Sequence, residues 1–167
     1  MKASALGTNV REGDEVVTTL VRLLGLCRDG VHGYAHAARL AEDPDLRELF
    51  ARLHTQREAS VLELEDALWA LGVRTTGSGS KLGALHAPWL EARARMGRGD
   101  GRALLEECAR GDGDAIYHYR LAIESMPDCD AARIVGEQFA TICGAREKVL
   151  DALGEVRGRS SSTNRAR

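Results

Sequence analysis

An all-α fold, a four-helix bundle of two helical hairpins joined by one long crossover, is what this sequence predicts, on three observations. Apolar residues recur at steps of three and four through four long segments. The composition is 44% hydrophobic with 4% aromatic residues and three prolines, too few strand formers for a sheet protein. Short Pro-Asp breaks, Pro44-Asp45 and Pro127-Asp128, separate the first segment from the second and the third from the fourth.

From about Asp14 to Ala41, the residues Val16, Leu20, Leu23, Cys27, Tyr34, Ala38 and Ala41 step by three, four or seven, which predicts the first helix. Asp43-Pro44-Asp45 stops it and starts a second, with Pro44 in the first turn. The second helix runs to about Leu71 on Leu46, Phe50, Leu53, Leu64 and Leu68, and Gly72 supplies its C-terminal stop. So short a linker allows only an antiparallel hairpin. A turn-rich run from Arg74 to Ser80 follows, then Leu82, Leu85, Trp89 and Leu90 in a short amphipathic helix. The third helix, from about Gly101 to Ser125, uses Leu105, Cys108, Ala115, Tyr119 and Ala122; the fourth uses Val135, Phe139, Ile142, Val149, Leu153 and Val156.

A helix of about 28 residues is about 42 Å long, so the crossover carries the chain from one end of the bundle back to the other. That is the ferritin-like arrangement, with Leu20, Leu53, Tyr119 and Ile142 in the interior. Residues 1–12 are expected as a flexible N-terminus, 13–157 as the single bundle domain, and 158–167, Ser-rich with three arginines, as a disordered tail. The halves echo each other: Leu23-Leu24-x-x-Cys27 recurs as Leu104-Leu105-x-x-Cys108, and Arg57-Glu58 as Arg146-Glu147.

The formal charge of -2 is spread along the chain, so no basic field exists to draw a nucleic acid or an anionic membrane. No apolar run approaches the roughly 18 residues needed to span a bilayer, and Met1 to Val10 lacks the layout of a secretion signal. Cys27, Cys108, Cys129 and Cys143 show no C-x-x-C spacing and read as reduced thiols, hence a cytoplasmic location.

Three stretches carry a family resemblance: Cys27-Arg28-Asp29-Gly30-Val31-His32-Gly33-Tyr34, Leu82-Gly83-Ala84-Leu85-His86-x-x-Trp89, and Leu104-Leu105-Glu106-Glu107-Cys108-x-x-Gly111-Asp112. Over about residues 14–157 the chain resembles an uncharacterised bacterial family of ferritin-like four-helix-bundle proteins labelled a domain of unknown function. The resemblance implies the fold and a stress-related role, with Glu expected at the place of His32 and near Gln56.

Ferritin-like metal proteins place one Glu on each of two helices and Glu-x-x-His on each of the others. No Glu-x-x-His occurs here, and Asp29-x-x-His32 is the nearest substitute. The apolar stripes are instead interrupted by Arg57, Asp112 and Arg146, each near the middle of its helix, which predicts a buried polar layer with Asp112 between two guanidinium groups and His32 close by. Such a layer sets helix register, or forms an anion pocket in which arginine holds a carboxylate or phosphate. Tyr34, Tyr117 and Tyr119 are expected to pack in the core with their hydroxyls reaching a partner. The pairs His54 with Glu58, His32 with His36, and Asp114 with His118 stand one turn apart, the spacing of a surface metal pair.

Two functions follow. One is a non-catalytic bundle, without cofactor, that binds a small anion, a partner protein or a second copy of itself. The other is a ferritin-like protein binding iron or manganese through His32, Glu58, Asp112 and His118.

Overall fold

A computed structural model describes the backbone of residues 3–75 and 100–165, with side chains described for 13–75 and 100–158. The elements are α1 (Ala3–Leu40), α2 (Pro44–Ala70), α3 (Gly101–Ser125) and α4 (Asp130–Arg165). Among the described residues there is no strand. The expected short helix from Leu82 to Trp89 lies outside them. α1 begins at Ala3 rather than near Asp14, and α4 continues to Arg165, so residues 3–12 and 158–165, within the stretches expected as a flexible start and a disordered tail, carry helical backbone. No helix among the described residues is long and apolar enough to cross a membrane.

Local chemistry sets the helix ends. Asp43 caps α2 by accepting from the Asp45 backbone N–H at 2.9 Å, with Pro44 following in the first turn. At its C-terminus Gly72 takes φ +80, and Val73 N–H donates to Leu68 O while Gly72 N–H donates to Trp69 O. That bond pair is a Schellman motif, and Val73 packs back on the cluster that holds Leu68. Asp100 caps α3 through Ala103 N–H at 3.1 Å.

α1 pairs with α2 and α3 with α4, and the hairpins meet through α1 on α3 and α2 on α4. Gly101, opening α3, lies against Leu46 in the first turn of α2. The chain leaves the far end of α2 at Ala70, so α3 runs parallel to α2, as in a ferritin-like bundle.

The core is divided into two clusters. One end gathers Leu20, Leu23, Leu64, Leu68, Tyr119 and Ile142; the other gathers Tyr34, Phe50, Leu53, Leu104, Leu105 and Val149. Between them, at mid-height, lie the buried polar side chains Arg57, Ser60, Asp112 and Gln138.

Because Gly72 sits in the left-handed region, Gly72→Ala should cost about 1–2 kcal/mol, read as a lower urea midpoint with an unchanged m-value.

A buried polar layer and the cleft beside it

On α2 the inward stripe runs Leu53, Arg57, Ser60 and Leu64, so a guanidinium stands where an apolar side chain is due. Arg57 Nη2 donates to Asp112 Oδ1 at 2.6 Å, with the two side chains 3% and 4% exposed. Tyr34, from α1, donates its hydroxyl to the other carboxylate oxygen at 2.5 Å. Both oxygens of Asp112 are thus engaged by charge-favouring donors. Space for the Arg57 stem comes from Gly30: a Cβ there would stand 3.1–3.3 Å from Nε, Cδ and Cγ of Arg57.

The layer continues on the other side of Arg57. Tyr119 donates to Gln138 Oε1 at 2.6 Å, and Gln138 Nε2 donates to Ser60 O at 3.0 Å and to Glu63 Oε2 at 2.7 Å. Two acceptors at Nε2 set the orientation of the amide, and the single Tyr119 proton is committed to Gln138. Cys27 Sγ, 3.1 Å from the Tyr119 oxygen, is therefore the donor in that contact. Side chains from all four helices take part.

Burial raises the Tyr34 phenol well above its ordinary range, and neighbouring Asp112 adds to it. Burial does the same to Tyr119, with Cys27 contributing. The Cys27 thiol is pushed up by burial, which the Arg57 charge only partly offsets. Cys108 is raised by burial and then by Asp112. Burial opposes the Arg57 cation, yet Asp112, Cys27 and Tyr34 together leave its pKa above the usual value.

Arg146 and His32 stand elsewhere than the expected layer. Arg146 is half-buried and donates Nε to Ala109 O at 3.2 Å, a contact within its own hairpin. His32 is exposed, because Cys27, Gly30 and Tyr34 form the inward stripe of α1 and His32 projects from another face. α3 runs unbroken through Gly111-Asp112-Gly113, and a Cβ on Gly113 would stand 3.6 Å from Arg146 Nε.

The metal set His32, Glu58, Asp112 and His118 is not brought together. Asp112 belongs to the ion pair, while exposed Glu58 stands 3.4 Å from His54 Nε2. His54 donates Nδ1–H to Val31 O at 3.0 Å, which ties α2 to α1. Among the described residues no group of three or more His, Cys, Asp or Glu is placed to hold a metal ion. These side chains do not fit a ferritin-like dinuclear centre. All four cysteines are free.

A cleft of about 270 Å³ opens between α1 and α3. Tyr34, Arg57, Cys108 and Asp112 form part of its wall, and Gly30, Gly33, Gly111 and Ala115 leave it room. Asp29, Glu107, Arg110, Asp114, Tyr117 and His118 complete the lining; Tyr117, expected in the core, is instead 59% exposed, because the inward stripe of α3 runs through Asp112, Ala115 and Tyr119. Arg110 bonds both Glu107 and Asp114. Two lining residues keep an enclosed nitrogen without a hydrogen-bond partner among the described residues, Arg57 at Nη1 and His118 at Nδ1.

Cys27, Ser60, Glu63 and Gln138 are layer members that the sequence reading passed over. Gln138 falls between Val135 and Ile142, and Ser60 between Arg57 and Leu64, on the same three-and-four stepping that singled out Arg57.

Asp112→Ala should leave Arg57 charged and unpaired in the interior and lower stability by about 3–5 kcal/mol, read by urea unfolding. Arg57→Ala should cost a similar amount, since Arg146 is bound elsewhere. Alkaline pH should unfold the protein, because tyrosines and thiols that ionise in the unfolded chain stay protonated in the fold. Stability should hold until the unfolded Cys range, about 8.5, and the unfolded Tyr range, about 10, and then fall by about 1.4 kcal/mol per pH unit for each such group. Tyr34→Phe should remove one group's share of that slope above pH 10, measured by chemical unfolding across the pH series.

Residues 15–125 match the family model described as Domain of unknown function (DUF2383). No curated protein matches the chain. Among solved structures it is similar to a two-domain protein with DJ-1/ThiJ/PfpI-like and ferritin-like domains from Anabaena variabilis, at 16% identity and TM-score 0.69, over 89% of this chain and 38% of that one. It is also similar to a conserved hypothetical protein from Mycobacterium tuberculosis, at 17% identity and TM-score 0.68, over 86% of this chain and 93% of that one. The chain thus spans 38% of the length of the first. At such identities the likeness speaks for the fold.

Proposed function

The chain belongs to the DUF2383 family, domains of unknown function, and on that premise we propose that it is a non-catalytic binding bundle whose ligand is a small organic molecule held in the cleft between α1 and α3. The observation that carries this reading is the cleft itself, about 270 Å³, onto which Tyr34, Arg57, Asp112 and His118 converge. The cleft has the character of a ligand site, with a mostly apolar wall and a few convergent polar groups. Catalysis finds less support: Tyr34, Cys27 and Cys108 are all held protonated by burial, and a protonated thiol or phenol is a poor nucleophile or base.

Gly111 gives a clean test, since it lines the cleft, is exposed, and a Cβ there would meet nothing within 4 Å. Gly111→Leu should fill the cleft and stabilise the helix by up to about 1 kcal/mol. A library of small organic molecules screened by ligand-observed NMR should give compounds that bind the wild type and ignore Gly111→Leu. Identical binding to both proteins, or to neither, removes the cleft as the site. Ferrous and manganous ions belong in the same screen: about two metals per chain retained after desalting would return the bundle to a ferritin-like metal function.

A further inference from the structure

Charge decides which molecules suit the cleft, an inference that rests on the binding reading above. The lining holds four carboxylates, Asp29, Glu107, Asp112 and Asp114, against two guanidinium groups, Arg57 and Arg110, an excess of two negative charges with His118 counted as neutral. One pair cancels inside the wall, since Arg57 and Asp112 meet at 2.6 Å with both side chains nearly sealed from solvent. The excess therefore stands on the more open groups. The Asp114 side chain is 62% exposed, Glu107 keeps 19%, and Asp29 is half-buried. Arg110 is divided between Glu107 and Asp114, so one cation answers two carboxylates, and this part of the excess is independent of Asp29.

An entering carboxylate or phosphate would meet like charge at Asp114 and Glu107, and Arg110 is already held by both. The anion pocket expected from two arginines also lacks its second arginine, because Arg146 donates to Ala109 O. An uncharged molecule would strip water from the carboxylates and return nothing to them. A bare metal ion needs several ligands closing on one point, and among the described residues no three His, Cys, Asp or Glu do so. An organic cation needs only a charge near the open carboxylates and an apolar body for the rest of the wall, where Leu26, Gly30, Gly33 and Ala115 offer apolar contact. Tyr117 adds to the attraction: its ring lines the cleft, is 59% exposed and stands edge-on to His118, so a cation can lie over its face. A cleft of about 270 Å³ has room for one ring with a short substituent, just below the roughly 300 Å³ at which drug-sized pockets begin.

We propose that the cleft binds a small protonated amine with a compact apolar body, the body lying between α1 and α3 and the ammonium beside Asp114, Glu107 and the ring of Tyr117. Arg57 and Asp112 then serve as a neutral part of the wall, and the open carboxylates of α3 set the class of ligand.

Three probes share a benzyl frame and differ in charge: benzylammonium, benzyl alcohol and phenylacetate. Each is titrated at neutral pH by ligand-observed NMR into the full-length wild type, Gly111→Leu and Asp114→Asn, with folding of each variant checked by thermal unfolding. Glu48→Gln serves as a control, since that carboxylate is exposed on α2 and outside the lining. Benzylammonium should bind the wild type at least about tenfold tighter than the other two, a difference of about 1.4 kcal/mol. Its affinity should fall several-fold in Asp114→Asn, hold in Glu48→Gln and vanish in Gly111→Leu. Benzyl alcohol or phenylacetate matching benzylammonium overturns the proposal, as does undiminished binding of benzylammonium to Asp114→Asn; in both cases loss of binding in Gly111→Leu still upholds the cleft as a site. Equal weakening by Glu48→Gln overturns it too, because the attraction then belongs to the whole surface. Where none of the three binds but library compounds do, protonated amines among the hits uphold the class and anionic or uncharged hits overturn it. If no compound of any kind distinguishes the wild type from Gly111→Leu, the binding reading itself falls.

Discussion

The interaction on which the rest depends is the ion pair between Arg57 and Asp112, with both side chains nearly sealed from solvent. Two charges at this depth are costly to desolvate, and an isolated pair of this kind is weak evidence for stability. Here the cost is limited by neighbours: Tyr34 holds the second carboxylate oxygen, and Asp112 favours the Arg57 cation. The pair joins α2 to α3 and Tyr34 adds α1, so the two hairpins are registered against each other at mid-height, between the two apolar clusters. Sliding α1 against α3 by one turn, about 5.4 Å, would part Tyr34 from Asp112 and Cys27 from Tyr119 together. Apolar side chains tolerate such shifts better because their contacts lack direction.

The cleft arises from the same packing problem. A guanidinium stem in the interior needs a neighbour without a side chain, and α1 provides Gly30 at that point. Gly33, Gly111 and Ala115 are also too small to close the space between α1 and α3. The second hairpin repeats the device, with Arg146 of α4 passing over Gly113 of α3. The repeat is incomplete, since Arg146 remains half-buried and meets a backbone carbonyl where Arg57 meets a carboxylate. One hairpin thus carries the charge pair and the other a simple helix-to-helix hydrogen bond.

Much of the architecture was legible because helical periodicity is a long-range signal repeated many times. Leu20, Leu53, Tyr119 and Ile142 each sit within stripes of many members, and all four are buried. Pro44 and Gly72 mark helix ends by backbone chemistry that no packing partner can override. The candidate site was legible only in part. Arg57 and Asp112 interrupt apolar stripes and were found that way; the choice of partner for Asp112 was not, because stepping along one helix carries no information on which helix faces it. His32 drew attention by residue type, whereas its position on α1 places it off the stripe. Gln138 and Ser60 were missed because uncharged polar residues interrupt a stripe less visibly than an arginine does. The cleft has no sequence signature beyond scattered glycines, which have many other uses.

The coupling of the layer bears on how this chain can change over time. Most core positions here are apolar contacts that accept exchange among Leu, Ile, Val and Met at modest cost. Arg57 and Asp112 cannot drift in that manner, because each single replacement strands its partner, whereas a paired replacement by apolar residues of similar volume can be neutral. The same holds along the other arm, where Gln138 answers Tyr119, Ser60 O and Glu63 at once. Among descendants of this sequence the layer should therefore change in linked sets while the two apolar ends vary position by position, and co-variation between residues 57 and 112 would carry the record of that constraint.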